Sequence, residues 1–327
     1  MRLVTGRTPQ AEPEELRRTR LAPSSARPMF WDDLKHNAIL YLMALPAILA
    51  IVIFSYGPMF GVVIAFQNYS LTRGVLGSEW VGLENFATAF RNPFFLSALR
   101  NSVIISAMKL AFGFPAGIVL ALLLNEIRLL WFKRAVQVAT MLPYFISWVV
   151  VATIFRSVLG QDGIVNEILQ HVFGLPPVNL LTNPDTFRWM ITFQDIWKNW
   201  GFSAMLYLAA ISTIDPAIYE AAMVDGANRW QQAWYITLPG IRATIILLFI
   251  LACGSLISAG FEQIYVMGNT AVASTGDIIE TFTLRLGLSQ GRYGLASAVG
   301  LFQAVVGLGL VLLANGLVKR ARQEGIM

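Results

Sequence analysis

Three aromatic residues in one apolar stretch of the chain recur at helical spacing. Phe193, Trp197 and Trp200 are four and three residues apart, so a helix would place them on one face, with Lys198 and Asn199 beside them. Aromatic rings next to hydrogen-bonding groups suit a ligand that has an apolar face and a rim of hydroxyl groups. The stretch therefore predicts a binding surface for a sugar ring.

Polar residues of neighbouring apolar stretches extend this candidate path. Ionisable groups inside membrane spans cost roughly 2.5 to 3.5 kcal/mol each on insertion scales, so those present usually face a cavity or a partner. Lys109 and Asp195 belong to this class, and an unpaired Lys109 or Lys198 that faced the path would favour an acidic sugar. The full candidate path comprises Tyr144, Ser147, Trp148, Phe193, Trp197, Lys198, Asn199, Trp200, Ser258 and Glu262.

Two ordinary explanations compete with a binding role for these side chains. Asp195 and Lys198 are three residues apart, so they could simply neutralise each other. Tryptophans often pack against neighbouring helices or sit at the membrane interface. The spacing alone leaves both explanations open.

A polar, helix-forming segment interrupts the apolar part of the chain. Asp215-Pro216 predicts the start of a helix, because Asp accepts from free amides and Pro suits the first helical position. Small side chains in its middle would let another surface approach closely, and a following Gly predicts its end. The candidate docking residues are Glu220, Ala221, Ala222, Asp225 and Gly226.

The polar segment has an alternative explanation and a predicted continuation. The alternative is an interfacial amphipathic helix on which nothing docks. After the Gly, Asn228 and Arg229 predict a second short helix that meets the membrane at Trp234 and Tyr235, and Pro239 then begins the next span.

The chain contains no residue constellation that would support covalent chemistry. His36 and His171 are its two histidines, and no acidic pair has a plausible shared site. The single cysteine, Cys253, excludes an intramolecular disulfide and a thiolate metal cluster. We therefore expect a protein that is not an enzyme and that binds no metal or cofactor itself.

The composition places these residues in an all-α membrane protein. Hydrophobic residues make up 56% of the chain and charged residues 13%, against roughly a quarter charged in soluble domains. Six apolar runs approach the roughly 20 residues that cross a bilayer, and we predict helices at about 38–66, 101–124, 135–159, 187–211, 241–266 and 294–317. Backbone groups in lipid must be satisfied internally, so the prolines inside these runs predict kinks rather than ends: Pro46, Pro58, Pro115 and Pro143.

The distribution of Lys and Arg predicts the orientation of the spans. The two termini and the connections at 125–134 and 212–242 carry fifteen of them, against six in the other connections. Basic residues accumulate on the cytoplasmic side, so both termini and the polar segment should be cytoplasmic. An odd number of spans with one terminus outside is the alternative.

The polar segment also carries a recognisable motif. Glu-Ala-Ala from Glu220, three residues, Gly226, nine residues and Ile-x-Leu-Pro from Ile236 resemble the permease subunits of bacterial ABC importers. Further matches resemble carbohydrate-uptake permeases of the maltose-transporter type, in particular the oligosaccharide and polysaccharide branch. They include Trp197, Gly201, Leu208, Ile214, Tyr219 and the Phe261–Tyr265 segment. The resemblance covers roughly residues 38–325. It departs from the family at residues 268–271, where Gly-Asn-Thr-Ala replaces the Gly-Gly-Pro found in many members.

The resemblance implies a fold and a set of partners. The fold would be a type I ABC importer permease at residues 38–317, with its core at about 98–317 and a coupling loop at 215–239. Residues 1–37 and 318–327 would be cytoplasmic tails, the first largely disordered. The implied partners are a second, related permease, two ATP-binding subunits and an extracytoplasmic solute-binding protein, in the bacterial inner membrane and without nucleic acid. ATP and Mg would be held by the partner ATPase, since this chain has no phosphate-binding loop of its own.

Two other classes of function compete with an importer subunit that passes an oligosaccharide. An ion-coupled secondary transporter should have acidic sites at the membrane midplane and an internal repeat of its spans. A membrane-embedded enzyme should have a polar constellation on two or more spans. Neither pattern is evident in the sequence.

Overall fold

The computed structural model describes residues 37–320, and these residues are mostly helical. The predicted terminal tails lie outside the described residues, except for residue 37 and residues 318–320. The latter belong to the last helix, Tyr293–Arg320. The described chain divides into two compact units, and the boundary along the chain lies between Phe60 and Gly61.

Four helical stretches are long and apolar enough to cross a membrane, and two bent helix pairs bring the number to six. The four stretches are Ala38–Phe66, Pro93–Glu126, Trp148–His171 and Tyr293–Arg320. The bent pairs are Pro184–Ile211 with Pro216–Val224, at 79°, and Arg229–Gly240 with Arg242–Gly254, at 65°. The predicted six spans therefore agree with the upper number.

The first unit is built from one helical run. It consists of the α-helix Ala38–Ile51, the π-helical turn Val52–Tyr56 and the short helix Gly57–Met59. Pro46 lies inside the first of these helices, and Pro58 lies in the last. Both prolines therefore lie within the helical stretch Ala38–Phe66 and do not end it, as predicted; a kink at either proline stays a prediction.

The second unit contains the remaining elements. Its α-helices are Gly74–Gly77, Glu84–Arg91, Pro93–Met108, Phe114–Glu126, Leu130–Met141, Trp148–Leu159, Ile164–His171, Pro184–Ile211, Pro216–Val224, Arg229–Gln232, Leu238–Gly240, Arg242–Gly254, Phe261–Met267, Ala273–Gly276, Ile279–Leu284 and Tyr293–Arg320. Its π-helical turns are Lys109–Gly113, Ala233–Thr237 and Arg285–Ser289. The 3-10 segments are Phe60–Phe66, which begins at the unit boundary, Leu142–Phe145 and Thr270–Val272. Strands β1, Gln67–Asn68, and β2, Glu79–Trp80, pair antiparallel with Gln67 opposite Trp80.

The third predicted span is not one continuous helix. The α-helix Leu130–Met141 passes into the 3-10 turn Leu142–Phe145, the chain becomes extended, and a new helix starts at Trp148. Pro143 therefore lies at a helix end, and the prediction of a kink was wrong there. The break is tolerated because a side chain of another helix satisfies the freed carbonyl groups, as described below.

The fifth predicted span is also interrupted. Its helix Arg242–Gly254 is followed by an irregular stretch that ends at Gly260, where φ is +93°, before the helix Phe261–Met267. Pro239 lies in the last turn of the helical run Arg229–Gly240, and a bend of 65° separates this run from the helix Arg242–Gly254. Pro239 therefore stands just before the bend, not at the start of a straight helix. The freed carbonyl of Ala259 is satisfied from another span.

The segment between the fifth and sixth spans is folded into the core. It was predicted only as a connection, yet Ile278, Ile279, Phe282 and Leu286 are buried. They pack in two clusters, the first around Phe187 and Ile191 and the second around Phe95 and Leu295. A third cluster joins Leu120, Leu124, Ala204, Tyr207 and Ile241. The three clusters hold the second, fourth, fifth and sixth spans together.

Candidate functional site

The helix Pro216–Val224 is delimited as its sequence predicts. The Asp215 carboxylate accepts a hydrogen bond from the amide of Ala217 at 2.9 Å, which satisfies a free donor of the first turn. At the other end Gly226 has φ +82°, a conformation that L side chains rarely adopt. The amide of Ala227 returns to the carbonyl of Ala222 at 2.9 Å and closes the helix.

The segment after this helix is connected back to it and to the spans. The Tyr219 and Thr237 hydroxyl groups are hydrogen-bonded at 2.9 Å. Asn228 begins the predicted second helix with a reciprocal cap to Gln231. The guanidinium of Arg229 pairs with the Glu126 carboxylate at 2.6 Å, at the end of the second span. The helix Pro216–Val224 therefore contacts the helical run Arg229–Gly240, which in turn is paired with the end of the second span.

The candidate docking residues lie on the open side of this helix. Glu220, Ala221, Asp225 and Gly226 are exposed, and Ala222 is half-buried. Within residues 37–320 the Glu220 carboxylate makes no hydrogen bond or ion pair. It lines a cavity of about 690 Å³ between this helix and the ends of the neighbouring spans. Its role in docking stays a prediction.

A second cavity, of about 290 Å³, lies between the second, fourth and fifth spans. Of the predicted path residues, Asn199, Trp200 and Ser258 line it. The other polar members of its wall are Ser106, Lys109, Asp195, Ser203 and Ser255. Hydroxyl, amide and charged groups beside one indole ring form a lining suited to hydroxyl-rich ligands.

Lys109 connects three spans at the wall of this cavity. Its ammonium donates to the carbonyl of Ala259 at 2.8 Å and to Gln263 Oε1 at 2.6 Å. It also pairs with Asp195 Oδ1 at 3.2 Å. Lys109 is therefore not unpaired, and the condition under which it would favour an acidic sugar is not met in this state.

The Lys198 side chain forms its hydrogen bonds at the break in the third predicted span. Its ammonium donates to the carbonyls of Pro143 at 3.2 Å, Tyr144 at 2.8 Å and Ile146 at 2.6 Å. The Tyr144 and Trp148 rings lie 5.6 and 5.4 Å from the same ammonium. Because Asp195 pairs with Lys109 instead, the two predicted neighbours on the fourth span have different partners.

The remaining predicted path residues lie away from the wall of this cavity. Phe193 and Trp197 both contact the Phe155 ring, at 6.4 and 5.6 Å between centroids. The Tyr144 ring stacks on Phe202 at 4.2 Å. Their part in a path stays a prediction.

Two more predicted path residues lie close to the breaks in the spans. Ser147 caps the helix that starts at Trp148 by accepting from the amide of Val150. Glu262 is exposed in the first turn of the helix after Gly260.

Sequence reasoning missed a group of polar residues in the core, of which Gln194 and Gln263 are buried and Glu280 is half-buried. Gln263 donates to the carbonyl of Ile191 at 2.8 Å and to Gln194 Oε1 at 3.1 Å. Glu280 accepts from Ser258 at 2.7 Å and from Gln303 at 2.9 Å. Gln194 and Gln263 carry no charge, so the insertion cost of ionisable groups does not single them out, and Glu280 lies in a segment that the sequence predicts as a connection. The signal in the sequence that could identify such residues is a polar side chain at a position where helical spacing predicts burial.

The comparisons with known proteins agree with this architecture. Residues 113–323 match the family model described as binding-protein-dependent transport system inner membrane component. The chain is 45% identical over 288 residues to the polygalacturonan/rhamnogalacturonan transport system permease protein YteP of Bacillus subtilis (strain 168), covering 88% of this chain and 89% of YteP.

Two crystal structures are similar along nearly the whole chain. One is a bacterial alginate ABC transporter in complex with an alginate pentasaccharide-bound periplasmic protein, with a TM-score of 0.83, 41% identity and coverage of 91% of this chain and 99% of the matched chain. The other is a bacterial ABC transporter involved in the import of the acidic polysaccharide alginate, with a TM-score of 0.82, 41% identity and coverage of 89% and 98%. The chain therefore belongs to the family of binding-protein-dependent transport system inner membrane components.

Proposed function

We propose that this chain is a permease subunit of an ATP-driven ABC importer and that it passes an acidic oligosaccharide across the bacterial inner membrane. The similarity to YteP and to the alginate transporters supports an acidic oligosaccharide as the substrate, because the names of these proteins refer to polysaccharides that are built from acidic sugars. A second, related permease completes the path, and a solute-binding protein delivers the sugar. The chain itself carries out no covalent chemistry.

The observation that carries the proposal is the exposed helix Pro216–Val224. It is capped at both ends, it presents small side chains and an unpaired carboxylate, and its Tyr219 is hydrogen-bonded to Thr237 in the following helical run, whose Arg229 pairs with Glu126 of the second span. Such a helix can enter a groove of another protein and transmit its motion. We therefore assign it to the contact with an ATP-binding subunit.

The proposed cycle uses this contact. ATP and Mg are bound by the two ATPase subunits, whose closure brings the docking helices together. The Tyr219–Thr237 and Arg229–Glu126 contacts pass that movement to the spans. The spans then change from an inward-open to an outward-open state, and the sugar moves because different ligands favour the two states.

The proposal is tested with the complete transporter in vesicles that contain ATP. We expect uptake of acidic oligosaccharide to require ATP and the binding protein. Glu220→Lys should lower uptake at least about tenfold, since a reversed charge opposes docking by several kcal/mol. Glu167→Lys, at another exposed helix position, is the matched control and should transport normally. Normal uptake by the Glu220 variant would contradict the docking role.

A further inference from the structure

The two members of the Lys109–Asp195 ion pair differ in how many other polar contacts they make. The Lys109 ammonium makes two hydrogen bonds to neutral acceptors, Ala259 at 2.8 Å and Gln263 at 2.6 Å, and these hold it in place. Its contact with Asp195 is longer, at 3.2 Å, and is the only polar contact of the Asp195 side chain within residues 37–320. Asp195 is therefore the exchangeable partner of a fixed cation.

Both members of the pair are accessible from the cavity between the second, fourth and fifth spans. Their side chains retain 13% and 22% exposure, respectively, and both residues line the cavity. A ligand in the cavity therefore meets the ammonium and the carboxylate together. A ligand carboxylate and Asp195 would then compete for the same donor.

The cavity wall also offers free hydrogen-bonding groups. The Ser106 hydroxyl is buried, with 6% of the residue exposed, and has no hydrogen-bond partner in the described structure. The Asn199 and Ser203 side chains form no hydrogen bonds within residues 37–320. Buried polar groups rarely stay unpaired, so these groups are available to sugar hydroxyls or to an Asp195 carboxylate that leaves Lys109.

We propose that Asp195 is a built-in competitor that limits how tightly an acidic sugar is held on Lys109. The carboxylate of a uronic acid residue accepts from the Lys109 ammonium, while Asp195 turns to a sugar hydroxyl or to the free groups of the wall. Without a competitor, a fixed cation in a low-dielectric cavity would retain an anionic cargo. Conduction requires binding that is weak enough for the cargo to leave.

This inference rests on the proposed function and concerns the charge selectivity of its path. The Asp195 carboxylate lowers the affinity of the cavity for an acidic sugar and has little effect on the affinity for a neutral one. Removing the charge at Asp195 should therefore affect the two kinds of cargo differently. A purely structural role of the Lys109–Asp195 pair would affect both alike.

The test compares binding of a galacturonic acid disaccharide with binding of the galactose disaccharide of the same linkage, using the complete transporter in detergent. For Asp195→Asn we expect affinity for the acidic disaccharide to rise about tenfold, because the variant removes one competing negative charge from this partly buried pair. Affinity for the neutral disaccharide should change less than about twofold. Asp185→Asn, the same substitution at an exposed position of the same helix, should change neither.

A second variant examines the cation itself. Lys109→Gln should lower affinity for the acidic disaccharide to that of the neutral one. The Lys109→Gln variant could fail to assemble into a transporter because it loses the hydrogen bond to Ala259. In that case Asp195→Asn still tests the competitor role, because this variant leaves the Lys109 contacts to Ala259 and Gln263 in place.

Two outcomes contradict the inference and differ from a failure of the proposed function. An unchanged ratio of the two affinities in Asp195→Asn, or an equal rise for both disaccharides, would overturn the competitor role alone. Failure of the wild-type transporter to take up any oligosaccharide would contradict the proposed function, and the inference with it.

Discussion

The Lys198 ammonium lies 2.6 Å from the carbonyl oxygen of Ile146, a residue 52 positions earlier in the chain. With two further bonds to Pro143 and Tyr144, it satisfies carbonyl groups at the break between the helices Leu130–Met141 and Trp148–Leu159. Lys109 does the same for the carbonyl of Ala259 at the break in the fifth span. Both lysines thus supply hydrogen bonds to carbonyl groups at helix breaks.

Replacing Lys198 by Met should destabilise the protein. The carbonyl groups of Tyr144 and Ile146 would lose their donor, whereas the Pro143 carbonyl would keep the amide of Ile146 at 3.2 Å. An acceptor left without a partner away from water costs about 1–3 kcal/mol. Thermal unfolding of the purified transporter should therefore occur several degrees lower. Lys133→Met is the control, because the Lys133 side chain makes no hydrogen bond in residues 37–320. Equal melting temperatures for both variants would show that the break does not depend on this ammonium.

Replacing Gly201 by Ala should separate the third and fourth spans. A methyl group there would lie 2.1 Å from the carbonyl oxygen of Thr140, a backbone atom that cannot turn aside. Overpacking of this kind costs about 1–3 kcal/mol. Gly300→Ala, at a helical position with nothing within 4 Å, should be neutral or slightly stabilising. For both glycine variants, the measurements are the temperature of thermal unfolding and the amount of intact protein that can be extracted from membranes. An unaffected Gly201 variant would contradict the close contact.

Replacing Gly226 by Ala should disturb coupling as well as stability. Its φ of +82° is unfavourable for any L side chain, by roughly 1–2 kcal/mol. Gly174→Ala is a matched control, since Gly174 has φ +61° in a different loop and, like Gly226, has nothing near its missing Cβ.

The measurement for this pair is the amount of sugar imported per ATP hydrolysed. Both variants should lose similar stability, but only Gly226→Ala should lower the ratio. If Gly174→Ala lowers it equally, the loop after Val224 has no special part in coupling.

Much of the fold follows from local patterns. The helix Pro216–Val224 was predicted from Asp215, Pro216 and Gly226 because caps depend on residues within one turn of each helix end. The six apolar runs follow from length and composition, and helices occupy all six. The short helix after Asn228 was predicted for the same reason and is confirmed.

The candidate path was less predictable. The shared face of Phe193, Trp197 and Trp200 was inferred from spacing, yet the first two contact Phe155 and only Trp200 lines the cavity. Helical spacing places side chains around one axis, but the neighbouring helices decide which of them meet a ring and which meet a cavity. Glu280 was missed because its burial depends on how a supposed connection packs.

The sequence by itself determined the membrane class, the family and the limits of the helix Pro216–Val224, because these properties depend on composition and on residues close together in the chain. Only the tertiary structure decided where the spans break and which acceptors the buried lysines serve. A helix that is interrupted in a membrane needs other groups, near or far in the chain, to replace its lost hydrogen bonds. For Ala259 that group is Lys109, 150 residues away.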